Sequence, residues 1–380
     1  MTKNTEKKQT TDQESPLVIV TTGGSGGHIF PAESISGALL KKGYRVAFVT
    51  DKRGANFHSL PNVQTYRLVA ESVAGGSCLH KIMAMVKLLF GAAQALHLIM
   101  KLKPSLVIGV GGYASFPAVI ASYMWGVPVM LHEQNAVLGR ANRFLSNWIF
   151  GKRAEVIATS FEPTLLVPSN IPQVRVGMPA RPQVLKSEKT PYQPIKDTIQ
   201  LLIFGGSQGA SFFSRKFPEV LALLPEELQR KIVLTQQARP EDEEYLQEVY
   251  QKIPFKKVTI SSFFDNMPML IKESHLVISR GGASTITELE IIGRPAMIVP
   301  LPTAADNHQM ENARQFCDDG AGWLINEKTF SVEQTAQRLT ELLQDKDILI
   351  NAASCAYNRS KPEAAQQVAQ LADNIIKGKK

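Results

Sequence analysis

The sequence predicts an α/β protein of two doubly wound, Rossmann-like domains that face each other across a cleft. Short, continuously apolar runs rich in β-branched residues alternate with helical patterns, which favours parallel sheets covered by helices. This rhythm breaks once, in a stretch rich in proline and charge, and then restarts. Both halves also open alike, with LVIVTTGGSGG and IQLLIFGGSQG. A length of 380 residues suits two domains.

Five apolar runs in the first half predict buried strands, and helical patterns lie among them. The predicted strands are Leu17–Thr22, Arg45–Thr50, Leu106–Val110, Val127–Leu131 and Val156–Thr159. The clearest helical patterns are Ala32–Lys42 and Leu138–Phe150. Because the strand runs lack period-two alternation, we expect helices on both faces of this sheet.

The second half repeats the pattern. Its predicted strands are Gln200–Phe204, Lys231–Thr235, Val258–Ser261, Leu276–Ser279 and Ala296–Val299. We therefore predict a polar tail over 1–16, a first domain over 17–181, a linker over 182–197 and a second domain over 198–360. Residues 361–380 are predicted to form a C-terminal helix that packs back on the first domain. The tail has no apolar core, which argues against a signal peptide.

The net positive charge of the chain lies entirely in its first half. Residues 1–181 contain 19 lysines and arginines against 9 acidic residues, whereas the remainder contains 23 against 25. No acidic residue lies between Glu71 and Glu133. A one-sided basic field of this kind favours an anionic partner, which is a membrane surface, a nucleic acid or a phosphorylated substrate.

The segment Lys81–Lys103 is the most apolar helical stretch, but charges interrupt it before the roughly 18 apolar residues of a spanning helix. Met83 and Phe90 fall in the same helical arc as Lys87. The pattern fits either a core helix with irregular patterning or a surface that dips into an anionic bilayer. The lack of acidic residues favours the bilayer, so Met83, Lys87 and Phe90 are predicted membrane contacts.

The three cysteines, Cys78, Cys317 and Cys355, are scattered, without a CxxC pair or a histidine at ligand spacing. This spacing argues against a zinc site or a disulfide framework and fits a reducing compartment. We predict neither a metal nor a cofactor.

A glycine-rich turn, Thr22–His28 (TGGSGGH), follows the first predicted strand. Its four glycines let the backbone approach a ligand, and the next helix start offers free N–H groups to an anion. The turn fits neither GxGxxG with a downstream acid nor the GK[ST] of a P-loop, which disfavours a nicotinamide-dependent oxidoreductase. His28 is either a helix-capping residue or a general base.

Two further clusters follow strands of the first domain. Gly109–Ser115 (GVGGYAS) is either a plain tight turn or a second anion-binding loop, placed where open α/β sheets bind ligands. His132–Asn135 (HEQN) groups polar side chains that are poor core material, which predicts a role in a site. The HExxH spacing of metalloproteases is absent.

The second domain carries three polar loops at predicted strand ends. Gly205–Ala210 (GGSQGA) places Ser207 where its hydroxyl can contact a phosphate. In Ser279–Glu288 (SRGGASTITE), Glu288 is either a ribose acceptor or a capping-box acid. Asp306–Gln309 (DNHQ) offers the donors and acceptors that sugar hydroxyls need. Phosphate-type loops on both domains predict a nucleotide diphosphate in the cleft.

Six motifs occur in order across residues 17–375: GGSGGHIFP, GVGGYASFP, LHEQN, GMPAR, GGSQGA and RGGASTITEL. In these motifs the chain resembles the MurG-type peptidoglycan N-acetylglucosaminyltransferases, which are GT-B glycosyltransferases with two Rossmann-like domains. The resemblance implies inverting transfer of N-acetylglucosamine from UDP-N-acetylglucosamine to the C4 hydroxyl of lipid I, undecaprenyl-pyrophosphoryl-MurNAc-pentapeptide, which forms lipid II. It also implies a peripheral position on the cytoplasmic face of the plasma membrane, with no nucleic-acid partner.

Carried over to this sequence, the resemblance implies His28 and Glu133 as candidate catalytic bases. The implied contacts of UDP-N-acetylglucosamine are Ser25, Gly26, Gly27, Asn135, Arg181, Ser207, Phe264, Ala283, Ser284, Thr285, Ile286, Thr287, Glu288 and Gln309. The acceptor diphosphate is expected on the loop that contains Gly111, Gly112, Tyr113 and Ser115. Three alternatives stay open. They are a UDP-N-acetylglucosamine 2-epimerase with the same two-domain plan, a nucleotide-sugar-binding module without catalysis and, least favoured, a nicotinamide-dependent oxidoreductase.

Overall fold

The computed structural model describes residues 15–24, 26–52, 54, 60, 63–71, 78–147, 149–188, 191–206 and 211–378. Within these residues the chain forms two parallel sheets, each covered by helices. The predicted fold class, two Rossmann-like α/β domains, is therefore confirmed. Most of the predicted tail lies outside the described residues, as do Ser25 and Ser207.

The first sheet, within the described residues, has seven parallel strands in the order β3-β2-β1-β4-β5-β6-β7. They are β1 (Leu17–Thr21), β2 (Arg45–Thr50), β3 (Gln64–Arg67), β4 (Leu106–Gly109), β5 (Val129–Glu133), β6 (Val156–Thr159) and β7 (Gln173–Arg175). Val20 on β1 pairs with Phe48 on one side and Ile108 on the other. All three side chains are buried, because helices cover both faces of the central strands.

The second sheet, counted over the same described residues, has six parallel strands in the order β10-β9-β8-β11-β12-β13. They are β8 (Ile199–Phe204), β9 (Ile232–Gln237), β10 (Lys257–Ser261), β11 (Leu276–Ser279), β12 (Ala296–Ile298) and β13 (Gly322–Leu324). Ile203 on β8 pairs with Gln236 on β9 and Ile278 on β11. The two sheets thus share one pattern, with the first strand of each domain inside the sheet.

Helices connect the strands of both sheets. Those of the first half are α1 (Gly26–Lys41), α2 (Cys78–Leu102), α3 (Phe116–Trp125), α4 (Arg140–Ser146) and the short α5 (Pro182–Leu185). The second half contains α6 (Ser211–Ala222), α7 (Glu226–Gln229), α8 (Pro240–Tyr250), α9 (Met267–Glu273), α10 (Ala283–Ile292), α11 (His308–Asp318), α12 (Val332–Gln344), α13 (Lys346–Asn358) and α14 (Ala364–Ile376). Short 3-10 turns span Tyr113–Ser115, Ala305–Asn307 and Glu327–Thr329.

The predicted strands are all present, with ends displaced by at most two residues. Sequence reasoning missed the short strands β3, β7 and β13, which lie at sheet edges. It also placed the start of α1 at Ala32, whereas the helix begins at Gly26 and passes through Pro31. The pattern over Leu138–Phe150 is wrong in extent, because only Arg140–Ser146 is helical.

The helix α14 packs against α1 of the first domain. Val368, Ala369 and Ala372 are buried in the core that also contains β1 and β4 side chains. The Tyr44 hydroxyl donates to Asp373 Oδ1 at 2.5 Å. The chain therefore returns to its first domain after completing the second.

The helix α2 packs along α3 with one face and exposes the other. A Cβ on Gly91 would overlap the Val69 carbonyl oxygen, so the helix lies very close to the rest of the domain. Met83 and Phe90 are 52% and 58% exposed. Lys87 pairs with Glu71 at 2.5 Å. By length and composition alone, Met83–Leu102 is the one span in the described residues that could cross a membrane.

Candidate active site

The carboxyl ends of the two sheets face each other, and a buried asparagine joins them. Asn312 on α11 accepts a hydrogen bond from the Ala136 N–H at 2.7 Å. Its amide nitrogen donates to Asn135 Oδ1 and to the Gly281 carbonyl, both at 3.1 Å. Asn312 is fully buried. One side chain thus ties the HEQN segment of the first domain to the RGGA segment of the second.

Charged side chains also cross the cleft. The Arg140 and Arg143 guanidiniums, on α4, hold the Asp306 carboxylate at 3.0 and 2.6 Å. Hydrogen bonds from Arg140, and then the charges of both arginines, lower the pKa of Asp306 below its ordinary value. The carboxylate is therefore ionised at neutral pH and pairs the domains electrostatically.

Two glycine-rich loops of the first domain touch each other. The Gly23 N–H donates to the Gly111 carbonyl at 3.0 Å. Gly111 and Gly112 have φ angles of +85° and +77°, which a residue with a side chain rarely adopts. A Cβ on Gly112 would lie 2.9 Å from Gly23 Cα, so both positions need glycine. Ser115 closes the second loop by donating to the Gly112 carbonyl at 2.7 Å.

His28, in the first turn of α1, lies against these loops. A Cβ on Gly111 would be 3.1 Å from its Cε1 atom, so the imidazole covers the loop. Nδ1 of His28 lies 3.0 Å from Oε1 of Gln134. Burial lowers the pKa of His28, while the nearby Glu133 carboxylate and Gln134 act in the opposite direction. The ring is therefore neutral at neutral pH, which is the form that a general base requires.

The Glu133 carboxylate is engaged by its own segment. Oε1 accepts from the Asn135 backbone N–H at 3.1 Å and from its amide at 3.3 Å. Oε2 accepts from the Gly139 N–H and from the Asn142 amide, each at 2.9 Å. These four bonds fix the turn that leads into α4. They suit a positioning role for Glu133 better than proton abstraction.

The start of α10 faces the first domain from the other side of the cleft. Its N-cap residue, Gly282, offers no side chain to the free N–H groups of the first turn. In the described residues, the N–H groups of Ala283, Ser284 and Thr285 have no protein acceptor. Ile286 and Thr287 are buried behind them. A helix start of this kind can bind a phosphate through its N–H groups and its dipole.

Glu288 lies in the second turn of α10 and points to the first domain rather than to the start of its own helix. Its Oε1 accepts from Arg181 at 2.7 Å. The Arg181 guanidinium also lies 5.0 Å from the centroid of the Phe30 ring. Burial raises the pKa of Glu288, and Arg181 opposes that rise. The interpretation of Glu288 as a capping-box acid is wrong, because its carboxylate pairs with Arg181 and not with the start of its own helix.

The other predicted contacts lie around the same cleft. Gln309, in the first turn of α11, accepts from the Leu301 N–H at 3.0 Å. A Cβ on Gly281 would lie 2.5 Å from the Gln309 carbonyl oxygen, so the starts of α10 and α11 converge. Phe264 follows the carboxyl end of β10 and is half-buried. Gly26 and Gly27 form the start of α1, and Tyr113 is half-buried in the second loop.

Sequence reasoning missed several of the residues that connect the domains, although it identified Arg181 and Glu288, which pair across the cleft. Asn312 and Asp306 carry the cross-cleft contacts, together with Arg140 and Arg143. None of the four belongs to a pattern that predicts contact between distant segments. The sequence identifies Asp306 only as a member of the polar loop Asp306–Gln309. Their roles depend on how the two domains meet, which periodicity within one domain does not encode.

Comparison with known proteins agrees with this geometry. Residues 18–150 match the glycosyltransferase family 28 N-terminal domain, and residues 200–368 match its C-terminal domain. The "UDP-N-acetylglucosamine--N-acetylmuramyl-(pentapeptide) pyrophosphoryl-undecaprenol N-acetylglucosamine transferase" of Paramagnetospirillum magneticum is 41% identical, over 96% of this chain and 98% of that protein. The transferase of the same name from Rhodospirillum rubrum is 40% identical, over 94% of this chain and 92% of that protein.

Solved structures give the same result. The crystal structure of Acinetobacter baumannii MurG has a TM-score of 0.76 and 27% identity, and covers 94% of this chain and 100% of that chain. A putative UDP-N-acetylglucosamine 2-epimerase from Listeria monocytogenes shares only the fold, with a TM-score of 0.65 and 16% identity over 96% of this chain and 97% of that one. The two sheets and the cleft between them have the GT-B architecture, and the matches to both domains of glycosyltransferase family 28 make the chain a glycosyltransferase of that class. The chain belongs to the MurG-type family of UDP-N-acetylglucosamine-dependent transferases.

Proposed function

We propose that the chain transfers N-acetylglucosamine from UDP-N-acetylglucosamine to the C4 hydroxyl of lipid I, with inversion at the anomeric carbon, and so forms lipid II. The observation that carries this proposal is the juxtaposition in the cleft. A neutral histidine on glycine loops of the first domain, and an uncapped helix start with a buried carboxylate on the second, lie at the sheet ends that Asn312 joins. The names of the relatives, at about 40% identity over nearly the whole chain, support this choice of donor and acceptor.

The donor is expected to bind mainly to the second domain. The free N–H groups at the start of α10 suit the diphosphate. The Glu288 carboxylate, held by Arg181, is expected to accept hydrogen bonds from the ribose hydroxyls. Gln309 lies in the first turn of α11, whose start converges with the start of α10. Its side-chain amide has the donor and acceptor groups that sugar hydroxyls need. Ser207 is proposed to contact the diphosphate, and Phe264 and Asn135 complete the proposed donor contacts.

The chemistry follows from the base and the leaving group. His28 takes the proton of the acceptor C4 hydroxyl while the oxygen of that hydroxyl forms a bond to the anomeric carbon. The bond from that carbon to the β-phosphate oxygen breaks on the opposite face, and its electron pair leaves with UDP. The helix start stabilises the negative charge that develops on the phosphate. In this mechanism Glu133 positions the turn before α4 and takes no proton.

The acceptor is proposed to reach the site from the membrane side of the first domain. The loop of Gly111, Gly112, Tyr113 and Ser115 lies beside His28 and suits the lipid diphosphate. Exposed apolar side chains of α2 lie on the same domain. We propose that α2 lies on the cytoplasmic surface of an anionic membrane rather than across it, since one of its faces packs on α3.

A transfer assay tests the function. Labelled UDP-N-acetylglucosamine is incubated with and without a short-chain lipid I analogue, and lipid-linked label is expected only with the acceptor. Release of UDP without an acceptor would support an epimerase instead, and binding without turnover would support a sugar-nucleotide-binding module.

A variant tests the base. His28→Ala is expected to lower kcat by roughly a hundredfold or more, since a positioned general base contributes about that much. The free energy of unfolding should change little, as the ring covers a loop rather than filling a core. A variant that folds normally and turns over at the wild-type rate removes His28 from this role.

A further inference from the structure

Gln134 lies buried between two histidines and contacts both of them. It is 2% exposed, directly after β5. On one side lies His28 and on the other His132, which is fully buried. Burial lowers the pKa of His132 to about 4, so this ring is neutral at neutral pH. A neutral imidazole has one N–H donor and one nitrogen acceptor, and hydrogen-bond partners decide which nitrogen is which.

The orientation of the Gln134 amide follows from its backbone partner. Nε2 of Gln134 lies 2.9 Å from the Val110 carbonyl oxygen, which can only accept. That atom is therefore the NH₂ group. Its second N–H points to Nδ1 of His132 at 3.0 Å, so this nitrogen is the acceptor. The His132 proton must then lie on Nε2, which donates to the Gly177 carbonyl at 3.2 Å.

The remaining atom of the amide sets the state of His28. Oε1 of Gln134 has only lone pairs, so Nδ1 of His28, at 3.0 Å, must carry the proton. The neutral ring then has its lone pair on Nε2. In the described part of the chain no side chain forms a hydrogen bond with Nε2 of His28. The ring's further contact is with the Val110 backbone carbonyl, which also accepts from Gln134. From the Gly177 carbonyl through His132 and Gln134 to Nδ1 of His28, each hydrogen bond therefore has one donor and one acceptor, and the three assignments agree.

We propose that His132 and Gln134 are positioning residues that lock His28 in the tautomer with a free Nε2 lone pair. This inference rests on the proposed role of His28 as the base. An unconstrained imidazole in water favours the opposite tautomer, with its proton on Nε2, which would present a donor where a base is needed. The relay from the Gly177 carbonyl through His132 and Gln134 reverses that preference before substrate binds.

Two titratable side chains outside the relay act on His28. The Glu133 carboxylate, at the end of β5, raises its pKa, and His308, at the start of α11, lowers it. Neither of them donates to or accepts from the His28 ring in the described residues. The tautomer is therefore set by Gln134, whereas these charges shift only the proton affinity.

The tautomer can be read directly in the free enzyme. Nitrogen-15 NMR of histidine-labelled wild-type protein, with His28→Ala to assign the signal, is expected to show His28 protonated at Nδ1 at neutral pH. A neutral His28 protonated at Nε2 overturns the proposal. This measurement needs neither substrate nor activity, so it stands even if His28→Ala keeps its turnover and the role as base fails.

Substitution of Gln134 gives a second, kinetic readout. Gln134→Glu still accepts from Nδ1 of His28 but cannot donate to Val110 or His132, and it adds a negative charge. An opposite charge at this distance raises a pKa by about 1–3 units. The acid limb of the kcat/KM profile should therefore move to higher pH by about that amount, with the lost turnover recovered at alkaline pH. An unmoved limb in a folded variant contradicts the relay.

Substitution of His132 separates positioning from simple packing. His132→Asn can place an oxygen acceptor near the position of Nδ1, whereas His132→Leu cannot. We expect His132→Leu to lower kcat at least tenfold with little change in the KM for the donor, and His132→Asn to recover much of that loss. Equal loss in both variants, with His28 still protonated at Nδ1, shows that His132 only fills space and refutes its part in the relay.

Discussion

Glu288 and Glu290 lie two positions apart on α10, and each is a buried carboxylate paired with an arginine. Glu288 faces the cleft and pairs with Arg181, from the end of the first domain. Glu290 faces away and pairs with Arg359 at 2.8 Å, within the second domain. Burial raises the pKa of both carboxyl groups, and the arginines oppose the rise. The same chemistry therefore serves the proposed ribose site in one case and packing in the other.

We predict that Glu288→Gln weakens UDP binding roughly ten- to a hundredfold, because hydrogen bonds to a charged group contribute about 1.5–3 kcal/mol. Isothermal titration with UDP measures this directly. The matched control is Glu290→Gln, which should lower the melting temperature and leave the UDP affinity unchanged. Equal UDP affinity in the two variants would place the ribose elsewhere.

The pH dependence of the transfer is also a residue-scale prediction. The base must be neutral, and burial holds the pKa of His28 below its ordinary value of 6.5. The rate should therefore stay constant through neutral pH and fall only as the pH drops through that lowered pKa. A profile of kcat/KM against pH measures the limb, and a midpoint well above 6.5 contradicts the assignment.

At this scale the sequence predicted residue types better than residue partners. HEQN was recognised as a polar cluster at a strand end, and the structure gives its members different tasks. Glu133 fixes a turn and Gln134 connects two histidines. Which polar side chain meets which depends on loop geometry, and that geometry is set by close approach of Gly23 and Gly112. Motif spacing alone carries no such information.

At the scale of the element, α2 is unusual because apolar and basic side chains share its exposed face. Met85, Val86 and Leu89 are exposed together with Met83 and Phe90. An exposed apolar group of this kind on a soluble domain indicates an interaction surface. The predicted Lys87 contact is only partly available, since Glu71 pairs with it.

We predict that Met83→Ser with Phe90→Ser weakens binding to vesicles containing anionic lipid by roughly tenfold or more, since burying each such side chain contributes about 1.5–3 kcal/mol. Vesicle co-sedimentation measures the binding. The control pair, Met269→Ser with Leu223→Ser, removes exposed apolar side chains from the second domain and should have no effect. Unchanged binding of the α2 variant means that the membrane contact lies elsewhere.

The elements that the sequence did not predict are short edge strands. β3 (QTYR), β7 (QVR) and β13 (GWL) have three or four residues, without the apolar run that marks a central strand. These segments form strands because the neighbouring strand has backbone N–H and C=O groups free to pair with them. Their formation therefore depends on the folded sheet and not on their own sequence. The central strands were predictable since burial on both faces forces a continuous apolar sequence.

At the scale of the whole molecule, the two domains meet through a shared buried apolar cluster, to which the first domain contributes Ala136, Phe161 and Met178, and through a few polar side chains. Asn312 is buried and joins backbone groups of both domains, whereas Asp306 with Arg140 and Arg143 forms an exposed ionic contact. Exposed ion pairs contribute only about 0–1 kcal/mol each. Such a contact therefore contributes little of the free energy that holds the domains together.

We predict that Asp306→Asn loosens the contact between α4 and the start of α11 by up to roughly fivefold in its equilibrium, which corresponds to about 1 kcal/mol. Hydrogen exchange should speed up in residues 140–146 and 301–309, and added salt should produce the same change in the wild type. Because the arginines lower the pKa of Asp306 below its ordinary value of 3.8, the contact is fully present above that pH and is lost only as the pH falls through the lowered pKa.

A control comes from a pair within one domain. Glu226→Gln removes the exposed Arg230–Glu226 pair and should leave exchange in the cleft unchanged. If Asp306→Asn behaves like this control, the ionic contact does not hold the domains together. The two-domain plan itself was predictable from the repeated strand rhythm, but the contacts between the domains were not.

The return of α14 to the first domain also affects how the protein is made. The helix follows the entire second domain in the chain, yet its Val368, Ala369 and Ala372 belong to the first core. On the ribosome, the nascent first domain lacks this helix until the second domain has emerged. The order of synthesis therefore differs from the order in which the two cores can be completed, and the second domain is the first that can fold in full.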